Sequence, residues 1–184
     1  GIEIIKNTIK SDNRTGILGV NIGPNKDTKD QKNDFCLGLK NFFDLADYIT
    51  INISSPNTEG LRDFHDQEKL KDLLVSLNKI KKDNETNIPL LLKVSPDIKE
   101  DDISEIVDVA TQNNISAIIL TNTTNSNRDN LKSEAKKEEG GLSGKPLQEI
   151  STNIIKNFYK QLHGKIPIIG VGGVNSGKSA YEKI

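Results

Sequence analysis

The chain has 184 residues and a mass of 20.3 kDa, enough for one domain with a buried core. Its 25 Lys and Arg stand against 26 Asp and Glu, a net charge of −1, so no charge excess favours nucleic acid or a membrane surface as a partner. One cysteine, Cys36, excludes a disulfide framework or a cysteine-built zinc site within the chain, and no run approaches the ~18–20 apolar residues of a membrane span.

Short β-branched runs alternate with helical patterns along the chain. The first run is 17–22. A less regular helical pattern follows at Phe35, Leu39, Phe42 and Phe43. The second run, 48–53, precedes a stripe of Leu70, Leu73, Leu74, Leu77 and Ile80 at helical spacing. The third run, 89–94, leads to Ile103, Ile106, Val107 and Ala110, a helix predicted to start behind a capping box of Asp97 and Glu100. The fourth run, 117–121, is followed by a long polar loop, 125–141. Its charges suit a lid or a solvated loop, and long polar loops favour the second. Leu147, Ile150, Ile154, Phe158 and Leu162 form the next helical stripe, before a fifth run at 166–171 and a last helix starting near Ser176. The near-continuous apolarity of each run predicts parallel strands buried on both faces. The fold class is α/β, in a single domain over 1–184 without repeats. Because the chain begins at Gly1 and stops within a predicted helix at Ile184, it is expected to be an excerpt of a longer protein.

The chemistry is concentrated where the runs end. Asn21 and Gly23 close the first, Asn52 to Thr58 the second, Lys93 to Pro96 the third, Thr121 to Thr124 the fourth, and Gly172 and Gly173 the fifth. In a (β/α)8 barrel all strand carboxyl ends meet on one active-site face, whereas an open doubly wound sheet uses mainly one switch point. Polar residues after every run favour the barrel. Each alone is an ordinary turn former. Lys93 inside Leu-Leu-Leu-Lys-Val and Asn52 inside Ile-Asn-Ile are harder to assign to turns, because a buried polar group needs a partner and a bound anion or heterocycle would supply one.

Two glycine-rich segments, at 140–144 and 170–173, suit close approach of backbone N–H groups to a phosphate. The stretch 172–179 also matches the G-x-x-x-x-G-K-S pattern of a P-loop, with Lys178 as phosphate ligand and Ser179 as magnesium ligand. That alternative leaves the polar ends of the other strands unexplained. Cys36 reads as a small core residue, and His65 and His163 as surface histidines without a role.

Taken together, these segments resemble the dihydroorotate dehydrogenase family. The resemblance rests on Asn52-Ile-Ser-Ser-Pro-Asn-Thr-Glu-Gly-Leu-Arg62, with Gly19-Val-Asn-Ile-Gly23, Leu92-Lys-Val-Ser-Pro-Asp97, Thr121-Asn-Thr-Thr124, Gly140-Gly-Leu-Ser-Gly-Lys-Pro-Leu147 and Ile168-Ile-Gly-Val-Gly-Gly173 in the family's order. It implies an FMN-binding (β/α)8 TIM barrel, of which the chain would hold strands three to seven and lack one, two and eight. It implies oxidation of dihydroorotate to orotate in pyrimidine biosynthesis. Ser55, at the position of the catalytic base, implies the quinone-linked class, with quinone as acceptor and Thr58 holding a water. By matched position, Asn52, Asn57, Asn122 and Thr123 would bind the pyrimidine. Asn21, Asn52, Lys93 and Thr121 would bind the flavin, and Ser143, Gly144, Gly172 and Gly173 its phosphate. No metal is implied. The class further implies membrane association through an N-terminal segment outside this chain, at the mitochondrial inner membrane in a eukaryote or the cytoplasmic membrane in a bacterium. A non-catalytic FMN-binding barrel is the remaining alternative.

Overall fold

The structure is a computed structural model and describes residues 1–126, 128–129 and 131–184. Helix α1 spans Ile2–Ser11, β1 Gly19–Ile22, α2 Gln31–Phe42, β2 Tyr48–Asn52 and α3 Gln67–Asp83. They are followed by β3 Leu90–Val94, α4 Glu100–Gln112, β4 Ala117–Leu120, α5 Gln148–Leu162, β5 Ile168–Gly170 and α6 Gly177–Tyr181. The five strands form one parallel sheet in the order β1-β2-β3-β4-β5. That order has no reversal, so the right-handed crossovers put successive helices on one side of the sheet. There α1 packs on α2, α2 on α3, α3 on α4 and α4 on α5. This is the arrangement of a barrel wall. The expected α/β barrel class is borne out, as an arc of five strands.

Strand periodicity separates the sheet into two faces. The register aligns Val20 with Ile49, Ile51 with Leu92, Leu92 with Ile118 and Val94 with Leu120. This is the helix-covered face, and Ile49, Ile51, Leu90, Leu92, Val94, Ile118 and Leu120 on it are fully buried. The other face carries Asn21, Thr50, Asn52, Leu91, Lys93, Ala117, Ile119 and Ile169. Burial on both faces, expected from the apolar runs, is therefore corrected. Asn21 and Ile169 are exposed, Lys93 and Asn52 half-buried, and only the central part of this face is closed. It is the concave inner wall, which an arc leaves open.

Local signals set the start of three of the helices, α2, α3 and α6. Asp30 accepts the N–H of Asn33 at 2.9 Å at the start of α2, and Asp66 that of Lys69 at 3.1 Å at the start of α3. Helix α3 buries Leu70, Leu73, Leu74, Leu77 and Ile80, the predicted stripe. The capping box expected from Asp97 and Glu100 does not form: α4 starts after Lys99 with no side-chain cap, because the Asp97 carboxylate is bonded elsewhere. Helix α1 was not anticipated. It buries none of its residues, so its apolar spacing carries little of the core.

The predicted loop at 125–141 is largely exposed and contains a short 3-10 turn at Glu134–Lys137; its Asn127 and Asn130 lie outside the described residues. Arg128 organises part of it by donating to the carbonyls of Lys136 (3.3 Å), Glu138 (2.6 Å) and Gly140. Cys36 is half-buried against the core, and burial pushes its thiol pKa up.

Leu92, fully buried on the central strand, tests the helix-covered face. Leu92→Ala is expected to lower unfolding free energy by about 2–5 kcal/mol in chemical denaturation. A loss under ~0.5 kcal/mol, the range of exposed positions, would contradict this packing.

Candidate functional site

The site is assembled at the carboxyl rim of the sheet. Asn52 ends β2 directly beside Lys93 of β3 in the parallel register. The chain then passes through buried Ile53 and Ser54, exposes part of Ser55, and reaches a 3-10 helix at Leu61–His65. That helix anchors the far end of the loop. Leu61 and Phe64 enter the core, and the Phe64 ring meets Phe35 of α2 edge-on, with centroids 5.7 Å apart at 81°.

Three polar side chains tie β2 to the end of β4. Asn52 Oδ1 accepts from Ser54 Oγ at 2.9 Å, from Ser54 N at 3.3 Å and from Asn122 Nδ2 at 3.2 Å. Asn122 Nδ2 also donates to Ser54 Oγ at 3.0 Å, and its Oδ1 accepts the Thr123 N–H at 2.8 Å. Asn122 N donates to Val94 O at 3.0 Å, which holds this amide against β3. The cluster spends the carbonyl of Asn52 on the protein, and among the described residues its two Nδ2 donors have no partner. Amides can both donate and accept without titrating, which suits recognition of a planar, amide-rich ring.

Beside this cluster lies a cavity of about 560 Å³. Lys93, Thr121, Asn122 and Thr123 line one side, and Ser143, Gly144, Gly172 and Gly173 the other. Lys93 makes no ion pair or hydrogen bond among the described residues. The peptide bond between Leu120 and Thr121 is cis. Gly173, at φ +72°, comes so close to α5 that an added Cβ would sit 2.5 Å from Gln148 Cβ. Gly141 is as constrained: its Cβ would fall on Thr123 Oγ1 and lie 3.2 Å from Pro56. Paired hydrogen bonds between Thr124 and Leu142, at 3.1 and 2.7 Å, seat this glycine segment on the end of β4.

The structure thus brings eight of the predicted residues to one cavity and joins Asn52 to them through Asn122. The others lie around it. Ser55 is half-buried, and its Oγ accepts the Asn57 N–H at 3.2 Å within its own loop. Thr58 is half-buried, with no side-chain hydrogen bond among the described residues. Asn57 lines a second, more polar cavity of about 890 Å³ with Pro56, Glu59 and Arg128. Asn21 is exposed on β1 and touches neither cavity. The P-loop alternative loses its magnesium ligand: Ser179 is buried, and its Oγ is committed to the α6 cap, accepting from Asn175 N and Ser176 N at 2.9 Å each. Among the described residues no group of three or more His, Cys, Asp or Glu is placed to hold a metal ion.

Sequence reasoning missed three side chains at this rim. Arg62 Nη2 donates to Asp97 Oδ2 at 3.0 Å, and Thr124 Oγ1 donates to Asp97 Oδ1. The available signal was weak: an Asp three residues beyond β3 and an Arg ten residues beyond β2, each among other charged residues. His65 is corrected too. It is buried rather than on the surface, with no partner at Nε2. His163 is exposed, as expected.

A family model described as dihydroorotate dehydrogenase matches residues 1–184, the whole chain. The chain belongs to the dihydroorotate dehydrogenase family. It is 40% identical to a dihydroorotate dehydrogenase (quinone) of Bartonella tribocorum, covering 100% of this chain and 52% of the relative. The corresponding figures are 46%, 100% and 57% for that of Wigglesworthia glossinidia brevipalpis. A mitochondrial dihydroorotate dehydrogenase (quinone) of Arabidopsis thaliana is 42% identical over 92% of this chain and 38% of its own length. A crystal structure of Eimeria tenella DHODH in complex with ferulenol superposes with a TM-score of 0.92 at 32% identity, covering all of this chain and 56% of that one. The chain spans about half the length of most of these relatives.

His65 yields a prediction about stability. Burial, and then the positive charge of Arg62, push its pKa down to about 4, with Asp102 opposing. An unfolded histidine titrates near ~6.5. Between those values the unfolded chain binds a proton that the folded chain refuses, so stability falls as pH drops through this window, by at most about 3 kcal/mol. Denaturation of the full-length protein from pH 7 to 4 should show this slope, and His65→Gln should reduce it. Parallel wild-type and variant profiles would contradict a buried neutral imidazole.

Proposed function

We propose that the protein is the barrel portion of an FMN-dependent dihydroorotate dehydrogenase, which oxidises (S)-dihydroorotate to orotate in pyrimidine biosynthesis and delivers the electrons to a quinone. The observation that carries this is the common rim of Asn52, Ser54 and Asn122 with the Ser55 loop, beside a cavity edged by an unpaired lysine and close-approach glycines. The five strands are read as barrel strands three to seven. Quinone use rests on the names of the relatives and on Ser55. The mitochondrial inner membrane, for a eukaryotic source, or the cytoplasmic membrane, for a bacterial one, is the corresponding location. Membrane association through an N-terminal segment outside this chain is part of the same reading; separately, no helix among the described residues is long and apolar enough to cross a bilayer.

The residues present fit FMN. Lys93 on the inner wall makes no ion pair or hydrogen bond among the described residues, and Gly172 and Gly173, at positive φ, lie so close to Leu147, Gln148 and Ser151 that only glycine fits, which leaves bare backbone along this edge of the cavity. Ser143, Gly144, Gly172 and Gly173 would hold the phosphate, while Lys93, Thr121, Asn52 and Asn21 would hold the ring. FMN would supply the acceptor for the hydride leaving C6 of the substrate.

The protein's own chemistry is then positioning and proton removal. Asn52, Asn57, Asn122 and Thr123 would orient the pyrimidine through neutral hydrogen bonds. Ser55 would take the C5 proton on Oγ as its hydroxyl proton passes to a water held by Thr58. A serine has no accessible anion near neutral pH, and among the described residues no carboxylate or imidazole is bonded to Ser55, which supports a relay through water.

Two variants of the full-length protein test the reading. Ser55→Ala should keep its flavin band yet bleach with dihydroorotate at least ~100-fold more slowly under anaerobic conditions, the lower range for loss of a general base. Absence of a flavin band in the wild type, even with FMN supplied, would overturn the assignment. Gly173→Ala should purify with a much lower ratio of flavin to protein absorbance, because its Cβ meets the Gln148 backbone. Full flavin retention would remove Gly173 from the cradle.

A further inference from the structure

One carboxylate joins three strand ends. Asp97 follows β3 by three residues, and its side chain is only 13% exposed. Its Oδ2 accepts from Arg62 Nη2 at 3.0 Å and from the backbone N–H of Asn125 at 3.0 Å. Its Oδ1 accepts from the Thr124 hydroxyl. Its own N–H donates to Ser95 Oγ at 3.1 Å, which fixes the turn that presents it. Arg62 closes the loop that bears Ser55 and Thr58, and Thr124 directly follows Asn122 and Thr123.

The Ser55 loop has little support of its own. Within it, Asn57 N donates to Ser55 Oγ, and Leu61 N to Thr58 O at 3.3 Å. From outside, Asn122 holds Ser54 at its start and Gln31 of α2 donates to the Glu59 carbonyl at 2.8 Å, and Arg62 in the 3-10 helix supplies the charged anchor at its far end. The Arg62 guanidinium is fixed in direction by the Asp97 carboxylate, and charge-assisted bonds of this kind are about twice as strong as neutral ones. The same carboxylate holds the segment that places Asn122 and Thr123. Asp97 is thus the shared reference between the loop bearing the proposed base and the residues proposed to bind substrate. We propose that Asp97 is a positioning residue for the reaction, setting Ser55 relative to the substrate through Arg62 on one side and Thr124 on the other. This rests on the functional reading above, and it predicts a defect in proton removal from C5 rather than in flavin binding.

The test uses full-length holoenzyme carrying Asp97→Asn, Asp97→Glu or Thr124→Val. The last removes one hydroxyl donor to the carboxylate at nearly constant volume. Three quantities are read for each: flavin content, the dissociation constant of orotate from the shift it causes in the flavin band, and the anaerobic bleaching rate with C5-protiated and C5-deuterated dihydroorotate. Asp97→Asn should retain flavin and bind orotate within about threefold of wild type, yet bleach at least about tenfold more slowly, since an ångström of misplacement costs on the order of 100-fold. Its C5 deuterium isotope effect should rise, because proton removal has become the slower event. Thr124→Val should show the same signature more weakly, and Asp97→Glu should recover part of the rate. A wild type without flavin or without bleaching sinks the functional reading itself. A wild type that bleaches, with Asp97→Asn and Thr124→Val matching it within about twofold, overturns the positioning role, as does a rate loss with no change in isotope effect. Should Asp97→Asn fail to fold, the isotope effect of Thr124→Val decides.

Discussion

Alternation along the strands is the constraint from which the site follows. On β2, β3 and β4 one set of residues, Ile49, Ile51, Leu90, Leu92, Val94, Ile118 and Leu120, is fully buried under the helices. Side chains on a strand change face at every residue, so this packing sends Thr50, Asn52 and Lys93 to the opposite wall. A slip of one position in β3 would drive the Lys93 ammonium into the helix-covered core without a partner, a large desolvation cost. The polar groups of the inner wall are thus held by apolar contacts on its other side. Mutations beneath the helices should disturb the site without touching it.

A second layer of order lies above the sheet, where side chains and glycines replace strand pairing. The amide of Asn122 bridges β4 to Asn52 and Ser54. The segment around Gly141 is pressed between Thr123 and Pro56, with no room for a Cβ, and a two-residue bridge between Thr124 and Leu142 fixes its height. Residues 121–123 line the cavity, and the next residue, Thr124, bonds both Leu142 and Asp97. Three loops from different strands converge there.

The strands and the larger helices were legible in the sequence because their signals are local. Apolar runs bounded by Asn, Gly and Ser mark β1 to β5, and the Leu70–Ile80 spacing marks α3 within a few residues. The strand-end rule pointed to six residues of the cavity, Lys93, Thr121, Asn122, Thr123, Gly172 and Gly173, and the glycine-rich segment at 140–144 to Ser143 and Gly144. What failed was non-local. The both-face burial inferred from apolar runs assumed a covered inner wall, which an arc of five strands does not provide. Asp97 stood where a helix cap belongs, and only the folded chain brings Arg62 and Thr124 to compete for it. His65 sits between charged residues in sequence, yet the 3-10 turn directs its ring inward with Leu61 and Phe64.

Charge at the rim follows the same separation of duties. Among the described residues the cavity is lined by Lys93 and Lys145 and by no carboxylate, although the chain as a whole carries a net charge of −1. Such a lining favours an anionic ligand such as a phosphate, and it would favour the reduced, negatively charged form of the proposed flavin. An acid is nevertheless needed close by, because Arg62 and the backbone N–H of Asn125 must be satisfied at the crossing of three loops. Binding that carboxylate to Arg62 neutralises it at short range and keeps it from competing with an anionic ligand for Lys93. A neutral substitute at position 97 would leave Arg62 without its counter-charge beside buried His65, so the loop would lose orientation and the rim would gain uncompensated positive charge. One acidic side chain thus orders the loop of the proposed base while leaving the cavity's own electrostatics to its lysines.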